Sequence, residues 1–182
     1  MIVAFGDSLT AGQGVPPDLN YPSQLQAALD ARALKYRVVN AGLAGDTTGG
    51  GRSRVDAVLA QNPRIVILEL GVNDGLRGHR LDRIRDNLAA IIERLQTKGV
   101  QVVLAGMMVP SRFSPHYADG FGKIFPDLAA KYRLALIPFF LQDVALVRDL
   151  NQPDGLHPTA EGYSYVVRNV LRIVEPLLRA KD

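Results

Sequence analysis

The chain contains no cysteine. That removes a disulfide framework, a thiolate nucleophile and any Cys-based metal site, and it selects no redox compartment. No run of residues approaches the roughly 20 apolar positions needed to cross a bilayer, so stable membrane insertion is not expected. Neither sign of charge dominates: 21 Lys and Arg face 18 Asp and Glu, a net charge of +3. The basic residues are dispersed and form no run with interleaved aromatics. Nucleic-acid binding needs a concentrated basic stripe, and the charges here read as an ordinary solvated surface. Histidine is scarce as well, with three copies, which keeps the choice of a general base short.

What is present suits a globular enzyme. The 182 residues are 47% hydrophobic and 21% charged, enough to bury one core without staples. No internal repeat, low-complexity segment or linker divides the chain, so one domain over residues 1–182 is expected. The sequence opens directly on Ile2-Val3-Ala4-Phe5, without a leader that runs from charged to apolar to small residues. The expectation is a soluble protein, periplasmic or secreted if a leader has been removed and cytoplasmic otherwise.

Short apolar runs alternate with helical patterns. Ile2–Phe5, Tyr36–Val39, Ile65–Leu68, Val100–Ala105 and Leu134–Ile137 are the predicted strands; they do not alternate strictly, as expected of strands covered on both faces. Between them Leu81, Ile84, Leu88, Ile91, Ile92 and Leu95 form one apolar stripe of a helix that Lys98-Gly99 ends. Tyr163, Val166, Val167, Val170, Leu171 and Val174 form another, and Leu25, Ala28 and Leu29 mark a shorter helix. Strand–helix alternation of this kind predicts an α/β fold with about five parallel strands between helices. In such a sheet ligands bind outside the carboxyl ends of the strands. Every unusual polar cluster falls there: Gly6-Asp7-Ser8 after the first strand, Asn40–Thr47 after the second, Gly71–Asp74 after the third and Met107–Tyr117 after the fourth.

Ser8 stands at the turn out of the first strand. Serine is a weak nucleophile unless a base removes its proton, and the candidate base is His157 in Asp154-Gly155-Leu156-His157-Pro158. A carboxylate three residues before a histidine can hold the imidazole's tautomer and stabilise its charged form, which gives Asp154 its role. His79 sits in a polar stretch and reads as a surface residue. Acyl transfer also needs donors aimed at the developing oxyanion; the backbone N–H groups of Ser8 and Gly45 and the side-chain amide of Asn73 are the candidates. Each of these residues also has a structural explanation. Ser8 or Asp7 can cap a helix, glycines serve turns and Asn-Asp pairs cap helices.

Four segments taken together are more specific. Gly6-Asp7-Ser8-Leu9, the run Asn40–Thr47 (NAGLAGDT), Gly71-Val72-Asn73-Asp74 and Asp154–Pro158 (DGLHP) resemble, in order, the four blocks of the SGNH (GDSL-like) hydrolase family. The wording around them is similar to its bacterial thioesterase, lysophospholipase and arylesterase branch. The family's Ser, Gly, Asn and His fall on Ser8, Gly45, Asn73 and His157. The resemblance implies a three-layer α/β/α flavodoxin-like sandwich and a serine esterase acting through an acyl-serine intermediate. It calls for no metal and no organic cofactor. Asp7 and Asp46 are expected to order the loops around Ser8 and Gly45. Glu69 interrupts a buried strand, and an unpartnered charge there would be costly, so a hydrogen-bond partner is expected.

The substrate expected is a small-molecule acyl ester or thioester, and its contacts must come from the loops. Leu76, Met108, Val109, Pro110, Phe113 and Phe140 are candidate lining residues, with Gly75–Gly78 as a lip beside Asn73 and His116 near the same rim. The same apolar loops would also suit a second subunit. Two other readings compete. A carbohydrate acetylesterase of the same family would want exposed aromatics, and tryptophan is absent. A flavodoxin-like binder could use Gly49-Gly50-Gly51 as a phosphate loop, but no Walker or dinucleotide fingerprint accompanies it.

Overall fold

A computed structural model describes residues 1–110 and 114–179. Its strands are β1 (Ile2–Gly6), β2 (Val38–Gly42), β3 (Ile65–Glu69), β4 (Gln101–Ala105) and β5 (Ala135–Ile137). All pair in parallel in the order β2-β1-β3-β4-β5, the flavodoxin-like order. Every residue of β1 and β3 is buried, which is why these segments read as continuous apolar runs rather than alternating ones.

The helices are α1 (Ser8–Ala11), α2 (Tyr21–Asp30), α3 (Thr48–Leu59), α4 (Val72–Leu76), α5 (Leu81–Thr97), α6 (Pro115–Tyr132) and α7 (Ala160–Arg179). One layer pairs α2 with α7, and the other packs α3 on α5 and α5 on α6. The stripe Ile84, Leu88, Ile91, Ile92 and Leu95 of α5 is buried as its spacing predicts, and Tyr163, Val166, Val170 and Val174 anchor α7. No helix among the described residues is long and apolar enough to cross a membrane.

Three departures from the sequence reading have physical causes. The second strand does not span residues 36–39; it runs from Val38 to Gly42, because it pairs with β1 from Ile2↔Val38 to Gly6↔Gly42. Tyr36 lies before it, hydrogen-bonded to Arg64. Gly49-Gly50-Gly51 is the first turn of α3 rather than an open loop. Thr47 Oγ1 accepts from Gly50 N at 3.2 Å and Asp74 accepts from Thr48 N at 2.8 Å, satisfying donors that a helix start leaves free. Gly51 packs closely against Leu70. Tyr117 is in α6 and not in the loop after β4. Ser114 caps that helix, Pro115 occupies its first turn, and Phe121, Ile124, Phe125 and Leu128 bury its inner face.

The α5 stripe is central to one helical layer. Leu88→Ala should cost about 2–5 kcal/mol of stability, read as a shift of the urea unfolding midpoint at constant slope. A loss under about 1 kcal/mol would show that α5 is not a main support of the sheet.

Candidate active site

The parallel sheet delivers its loops to one edge. As β1 ends, Asp7 caps α1 by accepting from Leu9 N at 3.0 Å, so Ser8 becomes the first helical residue. Ser8 is 8% exposed, at the floor of a cavity of about 350 Å³. Its hydroxyl lies 2.9 Å from His157 Nε2, although the two residues are 149 positions apart in the chain. His157 Nδ1 in turn lies 2.6 Å from Asp154 Oδ2. That geometry suits Nδ1 as the donor and leaves Nε2 free to accept from Ser8.

The loop that carries this pair is held at its neck. Asn151 and Pro158 form an antiparallel bridge, and Gln152 N donates to His157 O at 2.8 Å. Pro158 therefore closes the loop instead of opening α7, which begins at Ala160. Asp154 Oδ1 accepts from Leu156 N and His157 N at 2.9 and 3.0 Å. Its small degree of burial opposes ionisation, but these two N–H groups and the imidazole outweigh it and hold the carboxyl down at about 2. Asp154 is thus a carboxylate across the physiological range.

Gly45 has φ +77°, a left-handed conformation that glycine adopts without strain. Neither the Ser8 N–H nor the Gly45 N–H has an acceptor among the described residues, so both remain available to a ligand. Asn73 is placed differently. Its Nδ2 lies 3.0 Å from Asp7 Oδ2 and 2.9 Å from the Asp46 carbonyl oxygen. An amide NH₂ has two hydrogens, so Asn73 can serve an oxyanion only by sharing one of these bonds. Asp7, fully buried, is pushed up to about 6, chiefly by loss of hydration, against the lowering effects of Leu9 N, His157 and Asn73.

Asp46 orders the Gly45 loop as anticipated, through a residue the sequence reading did not single out. Arg54, on α3, donates to Asp46 Oδ2 at 2.7 Å and to the carbonyls of Ala41 and Gly6, each at 2.8 Å. One guanidinium therefore fastens the ends of β1 and β2 to the loop between β2 and α3. The only signal for this role is position: Arg54 lies nearly two helical turns into a segment that its glycines disguise as a loop. Arg77 adds a second clamp, donating to Gly45 O at 3.2 Å.

The cavity walls are mostly apolar, and they separate the predicted lining residues into two groups. Leu76, Met108, Val109 and Pro110 line it, together with Met107, Phe139 and Leu141. Gly75 and Phe140 do not. Gly75 is buried against Val109 and Phe121, while Phe140 is in the core, edge-on to Tyr21 with ring centroids 5.2 Å apart. Gly75 and Leu76 belong to α4, so the expected lip is a helical turn up to Leu76. His116 is exposed on α6 and is not part of the cavity wall. His79 is half-buried, with Nδ1 3.3 Å from Asp74 Oδ1. Phe113 lies outside the described residues. Leu9, Val72, Ala145, Leu146 and Leu156 also line the cavity and were not anticipated. Leu146 is 95% exposed; Leu9, Val72 and Leu156 each sit inside one of the four motif blocks, which was their signal, whereas Ala145 and Leu146 carried none. A second hollow of about 530 Å³, along α7 beside Arg32, is lined mainly by arginines and Glu175 and holds no serine or histidine.

Residues 4–165 match the GDSL-like Lipase/Acylhydrolase family, and the chain belongs to that family. It is similar to the Esterase TesA of Pseudomonas aeruginosa, 36% identical over 97% of this chain and 89% of that protein. Thioesterase 1/protease 1/lysophospholipase L1 of Escherichia coli is 32% identical over 97% of this chain and 84% of its own length. The fold superposes on the crystal structure of TesA with a TM-score of 0.93 over 97% of this chain and 98% of that one, at 36% identity.

The raised carboxyl of Asp7 has a consequence for stability. Its ordinary value is 3.8 and its folded value about 6, so folding favours the protonated form. That contribution is full below the ordinary value and is lost as pH rises through the folded one. Asp7→Asn cannot ionise, so the stability of the parent relative to this variant should fall between about pH 4 and pH 6 in urea unfolding. A difference that stays flat over this window contradicts the assignment.

Proposed function

We propose that the protein is a serine esterase that cleaves carboxylic esters, acyl thioesters and lysophospholipids through an acyl-serine intermediate. The observation that carries the reading is the hydrogen-bonded line Ser8–His157–Asp154, whose Ser8 and His157 border an apolar cavity. His157 Nε2 takes the hydroxyl proton as Ser8 Oγ attacks the acyl carbonyl. The positive charge that develops on the imidazole is stabilised by Asp154, whose carboxylate is already ionised. The oxyanion is received by the N–H groups of Ser8 and Gly45, and by Asn73 as its amide turns from Asp7. His157 then gives its proton to the departing alcohol or thiol. Water, deprotonated by the same imidazole, releases the acid.

The cavity favours an acyl chain over a sugar. Leu76, Met107, Met108, Val109, Pro110 and Leu141 offer a long apolar wall, with few of the convergent polar groups a carbohydrate would need. The two relatives named above are an esterase and a thioesterase/lysophospholipase, which supports the same substrate class. The reading also holds that the protein works in aqueous solution on a small-molecule substrate.

Hydrolysis of nitrophenyl esters of increasing acyl length tests the proposal. Ser8→Ala should reduce kcat by at least about a thousandfold, since removing the nucleophile of such a triad removes most of its catalysis. Asn73→Ala should cost about 2.7–4 kcal/mol of transition-state stabilisation. If Ser8→Ala hydrolysed the series as fast as the parent, the turnover would come from elsewhere and the proposal would fail.

A further inference from the structure

Glu69 is the last residue of β3, pairs in register with Gly6 and is completely buried. It does not line the cavity. Its Oε2 accepts from Thr10 Oγ1 at 2.8 Å and from Asp7 N at 3.4 Å. The carboxyl therefore grips α1 at its entrance and at its third residue, with Ser8 between the two grips. Gly6 is shaped to this contact. A Cβ there would come within 2.1 Å of Thr10 Oγ1 and 2.5 Å of Glu69 Oε2, so a side chain would displace the grip.

Among the described residues no positive charge pairs with Glu69. The groups that face it are Asp7 from the β1–α1 turn, Thr10 from α1, Tyr21 from α2 and Tyr163 from α7. Its Oε1 and the hydroxyls of Tyr21 and Tyr163 are buried without a hydrogen-bond partner among the described residues. A carboxylate with no counter-charge in such an interior is strongly disfavoured, whereas the neutral acid costs far less.

We propose that Glu69 is a positioning residue of the ester-cleaving site, a buried neutral carboxylic acid that fixes Ser8 by holding Thr10 and the Asp7 N–H. The inference rests on the esterase reading above. Burial and the neighbouring Asp7 carboxylate both drive the Glu69 carboxyl well above the usual range, in keeping with a protonated state. Through Asp7 the grip extends to the oxyanion side, because the carboxyl of Asp7 caps α1 and takes the Asn73 amide. Glu69 touches neither substrate nor the reacting atoms, so its loss should appear in kcat and not in KM.

The test uses the full chain and a nitrophenyl ester, with kcat, KM and the pH profile of kcat/KM measured for the parent, Ser8→Ala, Glu69→Ala, Glu69→Gln and Thr10→Val. Glu69→Ala and Thr10→Val should lower kcat on the order of tenfold to a hundredfold, the effect of a small misplacement of a reacting group, with KM changed little. Gln reproduces the acceptor and the neutrality of the acid, so Glu69→Gln should recover kcat to within about threefold of the parent. Its acid limb should overlie the parent's. If Glu69 were charged in the working enzyme, Glu69→Gln would be as poor as Glu69→Ala or would move the acid limb to lower pH, and either result overturns the proposal. Parental kcat in both Glu69→Ala and Thr10→Val also overturns it. Should Glu69→Ala fail to fold, the nearly isosteric pair Glu69→Gln and Thr10→Val still decides between these outcomes. A parent no faster than Ser8→Ala would sink the esterase reading itself and this inference with it. A dead Ser8→Ala beside failed Glu69 results would sink this inference alone.

Discussion

The site depends on one amide. Asn73 Nδ2 lies between Asp7 Oδ2 and the carbonyl oxygen of Asp46, and these three residues belong to the segments that follow β3, β1 and β2. A parallel sheet brings such segments to one edge but does not fix their spacing, because each is free to settle independently. A single side chain with two donors, both used on buried partners, removes that freedom. Arg54 strengthens the tie by holding Asp46 and the carbonyls of Gly6 and Ala41. Fixing these segments relative to one another sets where the unengaged N–H groups of Ser8 and Gly45 stand, the kind of preorganisation on which stabilisation of a developing charge depends.

Two aspartates at the site show how environment divides one chemistry. Asp154 lies at the surface and receives two backbone N–H groups and an imidazole, so it ionises at about 2. Asp7, the residue immediately before Ser8, is buried and is pushed up to about 6. The first is suited to stabilising a cationic histidine. The second caps α1 and accepts the Asn73 amide at 3.0 Å. Pairs of like groups driven apart by their surroundings mark distinct roles within one site.

Much of this was legible in the sequence. Strands β1, β3, β4 and β5 and helices α5 and α7 follow from runs and stripes that burial enforces directly. Ser8, Asp154 and His157 lie within short motifs whose spacing carries chemistry, and the structure sets them in line. Other features were hidden because they depend on tertiary partners. Helix α3 starts with three glycines, poor helix formers, and exists because Asp74 and Thr47 satisfy its first turn. Phe140 was an apolar residue in the right segment, but the side of the chain it faces is decided by Tyr21. Leu146 is in the cavity wall by virtue of a loop held by Asn151, which donates to Val144 O and Val147 O. Periodicity says nothing about such a loop. Asn73 was read as a free donor, and only the fold reveals that both its hydrogens are engaged.

The central claim is that Ser8, and no other hydroxyl of the chain, is activated as a nucleophile. A fluorophosphonate probe reports this directly, because it reacts with an activated serine irrespective of the natural acyl group. Intact-mass and peptide analysis of the treated protein should find one adduct, on the peptide containing Ser8, and none in the Ser8→Ala variant. An unmodified parent, or an adduct on another residue, would contradict the account.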